Sequence, residues 1–285
     1  EYDKNSKMES YATSTRTFVV YSSCISPVDL DKAYEKAQSY NLKDGEILSI
    51  KYGQTSKSGS CLKCLTISLK TGEAKVVVAQ PPNPSKRGRK ITRKKVDGKL
   101  LSVKLFRNGS TQVTGCKTID HVKFSMNMVF NLLELDSVEE TNVVSIMNNV
   151  NFSVNFKIDR ERLGSYLNSR GINVPPITTG YMGIKIRLPS LVDKKDLMIP
   201  RLSWKKDGGF EDLQQIPYLE FFAHDLKKIE KNFTTCVGIF QNGKILMTCI
   251  DDVTTRVMFD YVYTLLTDAR SHIEIQERAK KTFRR

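Results

Sequence analysis

Catalytic chemistry has few places to stand in this chain. Cys61-Leu-Lys-Cys64 has the spacing of a metal-ligand or dithiol pair, but no second close pair follows to complete four zinc ligands. The other cysteines (24, 116, 236 and 249) and the three histidines, His121, His224 and His272, are scattered. Reduced, structural thiols are the default expectation inside a cell. Asp251-Asp252 opens a helical segment and reads as a cap; no Cys-His or Ser-His-Asp set converges, and no Gly-rich phosphate cradle appears. No catalytic residue, metal or cofactor is expected.

Binding chemistry is better supplied. Against 31 Asp and Glu stand 45 Lys and Arg, a net charge of +14, which favours polyanions: nucleic acid or an anionic membrane surface. No run approaches ~18 apolar residues and no secretory hydrophobic region lies near the start, so a soluble intracellular protein is expected. The 285 residues allow one large domain or two ordinary ones, and 40% hydrophobic content suffices for a core.

The elements that position this chemistry start with KLFRNGSTQVTGCK (104–117). A three-residue loop, Arg107-Asn108-Gly109 with Gly109 left-handed, pairs Val103 with Val113 and Leu105 with Thr111. The other face then carries Ser102 beside Thr114, Lys104 beside Gln112 and Phe106 beside Ser110, as period-two alternation requires. Phe106 stands alone on a polar face, either as a loop-tip packing residue or as a functional one.

That stretch has an echo, IFQNGKILMTCID (239–251), with Phe240 lying 134 positions after Phe106. The repeat runs through the chain. Strand-like 18–25 and helical 28–40 match 146–156 and 158–171; 47–53 matches 181–188; the helices 118–135 and 252–269 close each half, with Thr118 and Asp252 as candidate N-caps and Val122, Met126, Val129, Leu132 and Leu133 as an apolar stripe. Residues 136–141 form a polar linker. Each half reads β-α-β-(insert)-β-β-α. The first insert is expected to hold a hairpin turning at Thr71-Gly72, then the basic loop 81–99. The second holds the turn-like SWKKDGG and a helical segment.

With both helices of each half on one side of its sheet, the opposite face is open. Alternation puts Tyr181, Gly183, Lys185 and Arg187 on it, together with Cys236, Gly238, Phe240, Lys244, Leu246 and Thr248. In the first half it puts Ile47, Ser49 and Lys51 there, with Leu48, Ile50 and Tyr52 inside. Ile47 with Phe106, and Tyr181 with Phe240, thus form duplicated apolar wedges among basic and hydroxyl side chains, which is what a minor-groove binder needs. Basic groups at the rim meet phosphates and release counterions. A face covered by inserts or another subunit is the bland alternative.

The tandem pattern resembles the TATA-box binding protein family. That family's F-x-x-G-x-x-x-x-T-G-x-K stands here as Phe106, Gly109, Thr114, Gly115 and Lys117; Phe240, Gly243, Lys244 and Thr248 repeat it, with Cys249, Ile250 and Asp251 in place of the usual Gly-Ala-Lys. Long inserts make it most similar to the divergent members from large double-stranded DNA viruses of eukaryotes. The resemblance implies an α+β fold: two pseudo-symmetric β-α-β-β-β-β-α repeats forming a saddle, one curved antiparallel sheet with helices on the convex face. Repeat 1 would span 15–137 (insert about 54–98) and repeat 2 141–271 (insert about 189–232), between a tail at 1–14 and a basic tail at 272–285.

The resemblance also implies roles. Ile47, Phe106, Tyr181 and Phe240 stand as wedges. Asn148 takes the place of a base-contacting asparagine, with Thr17 at the equivalent place in the first half; that register puts Asn149 on the buried face. Thr114, Thr248, Val150 and Leu246 complete the base-edge or sugar contacts. Lys51, Lys104, Lys185, Arg187 and Lys244 are the expected phosphate contacts. Lys86, Arg87, Arg89, Lys90, Arg93, Lys94 and Lys95 form either an extended basic patch or a solvated charge run. The implied partners are double-stranded DNA, a TFIIB-like factor and RNA polymerase subunits, with no membrane and a monomer on DNA. The implied compartment is a cytoplasmic virus factory or the nucleus, with the virion as a further location. The departures at Thr17, Ile47 and Asp251 imply an altered sequence preference, or a fold kept for protein contacts in a transcription complex.

Overall fold

The computed structural model describes residues 10–22, 25, 27–39, 47–52, 64–71, 98–135, 141–176, 183–224 and 234–276. The chain divides into two compact units. One comprises Thr17–Val144 and Leu202–Leu213, the other Glu1–Arg16, Ser145–Arg201 and Gln214–Arg285.

The first repeat is built from β1 (Ala12–Ser22), α1 (Leu30–Ser39), β2 (Ile47–Lys51), β3 (Cys64–Thr71), β4 (Lys99–Phe106), β5 (Thr111–Cys116) and α2 (Ile119–Leu133), with strand order β2-β3-β4-β5-β1. Strands β2 to β5 pair antiparallel in sequence order. Alternate residues, among them Phe18, Val20, Leu65, Ile67, Leu69, Leu101, Val103, Leu105 and Val113, point to one side. They pack there with Leu30, Ala33 and Ala37 of α1 and the Val122, Met126, Val129, Leu132 stripe of α2.

The second repeat contains β6 (Thr141–Ser153), α3 (Arg160–Ser169), β7 (Gly183–Pro189), β8 (Met198–Trp204), β9 (Phe210–Pro217), α4 (Tyr218–Phe221), β10 (Thr234–Phe240), β11 (Lys244–Cys249), α5 (Asp252–Asp268) and α6 (Arg270–Ile273). The order β6-β11-β10-β7 is antiparallel throughout, and β8-β9 form a separate ribbon. Val150, Phe152, Val154, Ile184, Ile186, Val237, Ile239, Ile245 and Met247 bury against Leu163 and Leu167 of α3 and Met258, Val262 and Leu266 of α5. Val192, Leu197 and Tyr218, flanking the ribbon's base, make a satellite core against Ile250 and Val257.

Both repeats are held in register by the same turn. Asn108 Oδ1 accepts from the Ser110 N–H at 3.1 Å and Asn242 Oδ1 from the Lys244 N–H at 3.2 Å. Gly109 and Gly243 share a left-handed φ of 80°, and each donates its N–H to the Phe carbonyl three residues back at 2.9 Å. The observed register is the one alternation demanded: Val103 opposite Val113, Leu105 opposite Thr111, Ser102 opposite Thr114 and Lys104 opposite Gln112. Helix starts are fixed by aspartates: the Asp159 carboxylate accepts from the Glu161 and Arg162 N–H groups, and Asp251 from Thr254. Asp251 is therefore the N-cap of α5, and Asp252, the expected cap, is its first helical residue. Thr118 is the N-cap of α2, but its side chain makes no cap hydrogen bond; His121 Nδ1 instead accepts from the Lys117 N–H.

Three expectations are corrected. Strand β3 is part of the first repeat's sheet rather than of an insert, paired with β2 on one edge and β4 on the other; the return strand expected after Thr71 lies outside the described residues. Strand β7 is the counterpart of β3, not of β2, because it pairs with β10 as β3 pairs with β4, with Gly183 opposite Phe240 where Cys64 is opposite Phe106. The third concerns Ile47. A register shift between Ile47 and Ser49 turns Ile47 into the core at 5% exposure and leaves Leu48 45% exposed.

A Cβ on Gly243 would meet the Phe156 and Val154 carbonyl oxygens at 2.5 and 2.7 Å, in a backbone conformation that L residues avoid. Gly243→Ala is expected to cost about 1–3 kcal/mol, seen as a lower urea midpoint at unchanged slope. Gly208→Ala, also at positive φ but with nothing within 4 Å of its Cβ, costs less in the same assay.

Candidate nucleic-acid interface

The face opposite the helices carries ordered rows of side chains in each repeat. In the second, cross-strand pairing aligns Asn149, Thr248, Cys236 and Arg187 across β6, β11, β10 and β7. The next row is Asn151, Leu246, Gly238 and Lys185, and Ser153 with Lys244 follows. Phe240 ends β10 on this face with its ring over Gly183: a Cβ there would lie 3.0 Å from the ring edge. In the first repeat the rows are Lys51, Thr66, Lys104 and Gln112, then Ser49, Ser68, Ser102 and Thr114, with Phe106 beside Cys64. A large aromatic beside a small residue, next to the turn, is thus repeated. None of these row positions is a carboxylate.

The five expected phosphate-contacting residues, Lys51, Lys104, Lys185, Arg187 and Lys244, all stand on these faces, as do Thr114, Thr248, Phe106, Phe240 and Leu246, the last 42% exposed. Asn148, Val150 and Thr17 do not present base-contacting groups. Val150 is a core residue at 1% exposure; Thr17 stands on the side of β1 opposite Phe18 and Val20 but is itself buried, at 2%. Asn148 is 1% exposed and faces the helices, where its Nδ2 donates to Asp252 Oδ1 at 2.8 Å. Arg16 Nη2 donates to the same oxygen at 2.8 Å, and Ser145 Oγ donates to Asn148 Oδ1 at 3.2 Å, so Asn148 anchors the start of α5. The physical reason is parity: with Val150, Phe152 and Val154 in the core, even-numbered residues of β6 point inward.

The asparagine on the open face is Asn149. Its Oδ1 accepts from Thr248 Oγ1 at 2.7 Å and its Nδ2 donates to Thr15 Oγ1 at 3.0 Å. This fixes the amide while leaving one N–H and one lone pair for a ligand. The alternation in VNFSVNF signalled this register, but matching a single asparagine to a motif obscured it. Tyr181, the Lys86, Arg87, Arg89, Lys90, Arg93, Lys94 and Lys95 patch and Cys61 lie outside the described residues. Among the described residues no cluster of three or more His, Cys, Asp or Glu side chains converges, and no helix is long and apolar enough to cross a membrane.

No family model matches the sequence, and no curated protein matches it. Among solved structures the chain is similar to the TBP of Methanococcus jannaschii, at 10% identity and a TM-score of 0.47, over 90% of this chain and 98% of that one. The fold class itself is read from the topology. It is α+β, with β-α-β-β-β-β-α connectivity in the first repeat and the same order in the second short of one edge strand among the described residues.

Two measurements check this description. Asn148→Ala should destabilise the fold by about 1–2 kcal/mol through the lost bond to a partly exposed carboxylate, read by thermal or urea unfolding. Burial pushes the Cys116 thiol up to about 11 and raises that of Cys249 as well. Both should therefore resist iodoacetamide at pH 8 until the protein is unfolded, as peptide mass spectrometry would show.

Proposed function

We propose that this chain is a TBP-like promoter-binding factor that takes duplex DNA in the minor groove against its open sheet faces. The observation that carries the reading is the duplicated phenylalanine, Phe106 and Phe240, each beside a glycine turn on a face whose described row positions carry no carboxylate and include Lys51, Lys104, Lys185, Arg187 and Lys244. The two rings act as wedges that unstack a base step each, and the cations neutralise phosphates along the groove rim. Asn149, Thr248 and Thr114 address base-edge acceptors or sugars on the groove floor, where A·T pairs offer acceptors alone. A TFIIB-like factor and RNA polymerase are the proposed downstream partners, and the site of viral or nuclear transcription the proposed compartment.

The test is a fluorescence bending assay on TATA-containing and scrambled duplexes with a salt titration. Phe106→Ala and Phe240→Ala should each abolish a sharp bend, and Asn149→Ala should weaken binding about tenfold. Lys185→Ala with Arg187→Ala should flatten the slope of log affinity on log salt by about 2, roughly 0.9 per phosphate contact. Steep salt dependence with no bend would leave only a basic surface and sink the wedge model.

A further inference from the structure

The tip of the β8–β9 ribbon, Leu202–Leu213, belongs to the unit of the first repeat. There it meets Tyr21 of β1. The Phe210 ring stacks on Tyr21 at 5.4 Å and 25°, and Trp204 lies edge-on to both, 6.2 Å from Tyr21 and 6.1 Å from Phe210. Phe210 is 3% exposed. Phe18 and Val20 of β1 point into the helix-side core, so Tyr21 stands on the opposite, open face. Burial also pushes the Tyr21 phenol above its usual range.

We propose that this ribbon tip is a displaceable cover on the first repeat's open face, docked on Tyr21 in the free protein and lifted when duplex DNA binds. The inference rests on the reading of that face as a duplex-binding surface. A groove floor pressed against a sheet needs van der Waals contact, and two aromatic rings on Tyr21 fill that space. The hold is slight, as a cover requires. The ribbon is exposed along most of its length, Phe210 is the one deeply buried side chain of its tip, and a two-stranded hairpin is marginal without such an anchor. Its turn is closed by Asp207 Oδ1, which accepts from the Gly209 N–H at 2.9 Å, and it carries exposed Lys205 and Lys206, which phosphates attract once the tip is free.

Trp204 is the chain's single tryptophan, so its fluorescence reports docking directly. Free Tyr21→Ala and Phe210→Ser proteins should show red-shifted emission and stronger acrylamide quenching than wild type. An A·T-rich duplex titrated into wild type should produce the same shift with the midpoint of binding, while adding it to Tyr21→Ala should leave emission unchanged. Both variants should bind the duplex about tenfold tighter, within the range of ordinary intramolecular coupling. Wild type that binds duplex with Trp204 still docked overturns the cover alone. Variants that bind more weakly do the same, and assign the tip to the footprint. Failure of wild type and both variants to bind any duplex overturns the function proposed for the face, and the cover with it.

Discussion

The rest of each repeat depends on one three-residue turn. Arg107-Asn108-Gly109 and Gln241-Asn242-Gly243 fix the register of their hairpins, and side chains alternate with period two. A one-residue slip would therefore exchange every core and surface position at once. The turns are also tied to the chain entering the helices. The Val28 N–H donates to the Arg107 carbonyl at 2.8 Å, and the Ile158 N–H to that of Gln241 at 2.9 Å. Each glycine is closed in by backbone carbonyls, of Ile25 in one repeat and of Val154 and Phe156 in the other. Register, helix entry and the position of the phenylalanine are thus one coupled constraint, satisfied twice.

Charge is sorted by the same architecture. Helix N-termini favour anions and offer unpaired N–H groups, and several aspartates stand there. Asp29 accepts from Asp31 and Lys32, Asp159 and Asp251 cap their helices, and Asp252 gathers Arg16 and Asn148. The backbone bond from Lys32 holds the Asp29 carboxyl below the usual carboxylate range. With these acids engaged on the helix side, the row positions of the open faces keep lysine, arginine, hydroxyl and amide groups free of carboxylates.

The hairpins were legible in the sequence because two independent signals agreed there, an Asn-Gly turn and clean alternation on both strands. The inward set of β7 was legible for the same reason, since Ile184, Ile186 and Leu188 are all core residues. Its place in the sheet was not, because β2 and β3 carry similar apolar patterns and sequence distance is a poor guide across an insert. Ile47 failed through a bulge, which no alternation rule registers. The asparagines failed differently: the parity of Val150, Phe152 and Val154 was readable and was outweighed by a motif match. The cluster of Tyr21, Trp204 and Phe210 joins residues nearly two hundred positions apart, and only the folded chain brings them together.

The two open faces are alike in plan and unlike in chemistry. Thr114 and Thr248 are equivalent, as are Phe106 and Phe240, because their hairpins share a register. Around them the first repeat presents a run of hydroxyls, Ser49, Ser68, Ser102 and Thr114, while the corresponding row of the second presents Arg187, Cys236, Thr248 and the amide of Asn149. Hydroxyls donate and accept with little directional preference, whereas an amide clamped by Thr15 and Thr248 offers a fixed donor and a fixed acceptor. Tyr21 adds a further difference, since it packs against the rings of Phe210 and Trp204. A duplicated scaffold has therefore kept its backbone constraint while its surfaces diverged, and a ligand meeting one face encounters a different set of partners from a ligand meeting the other.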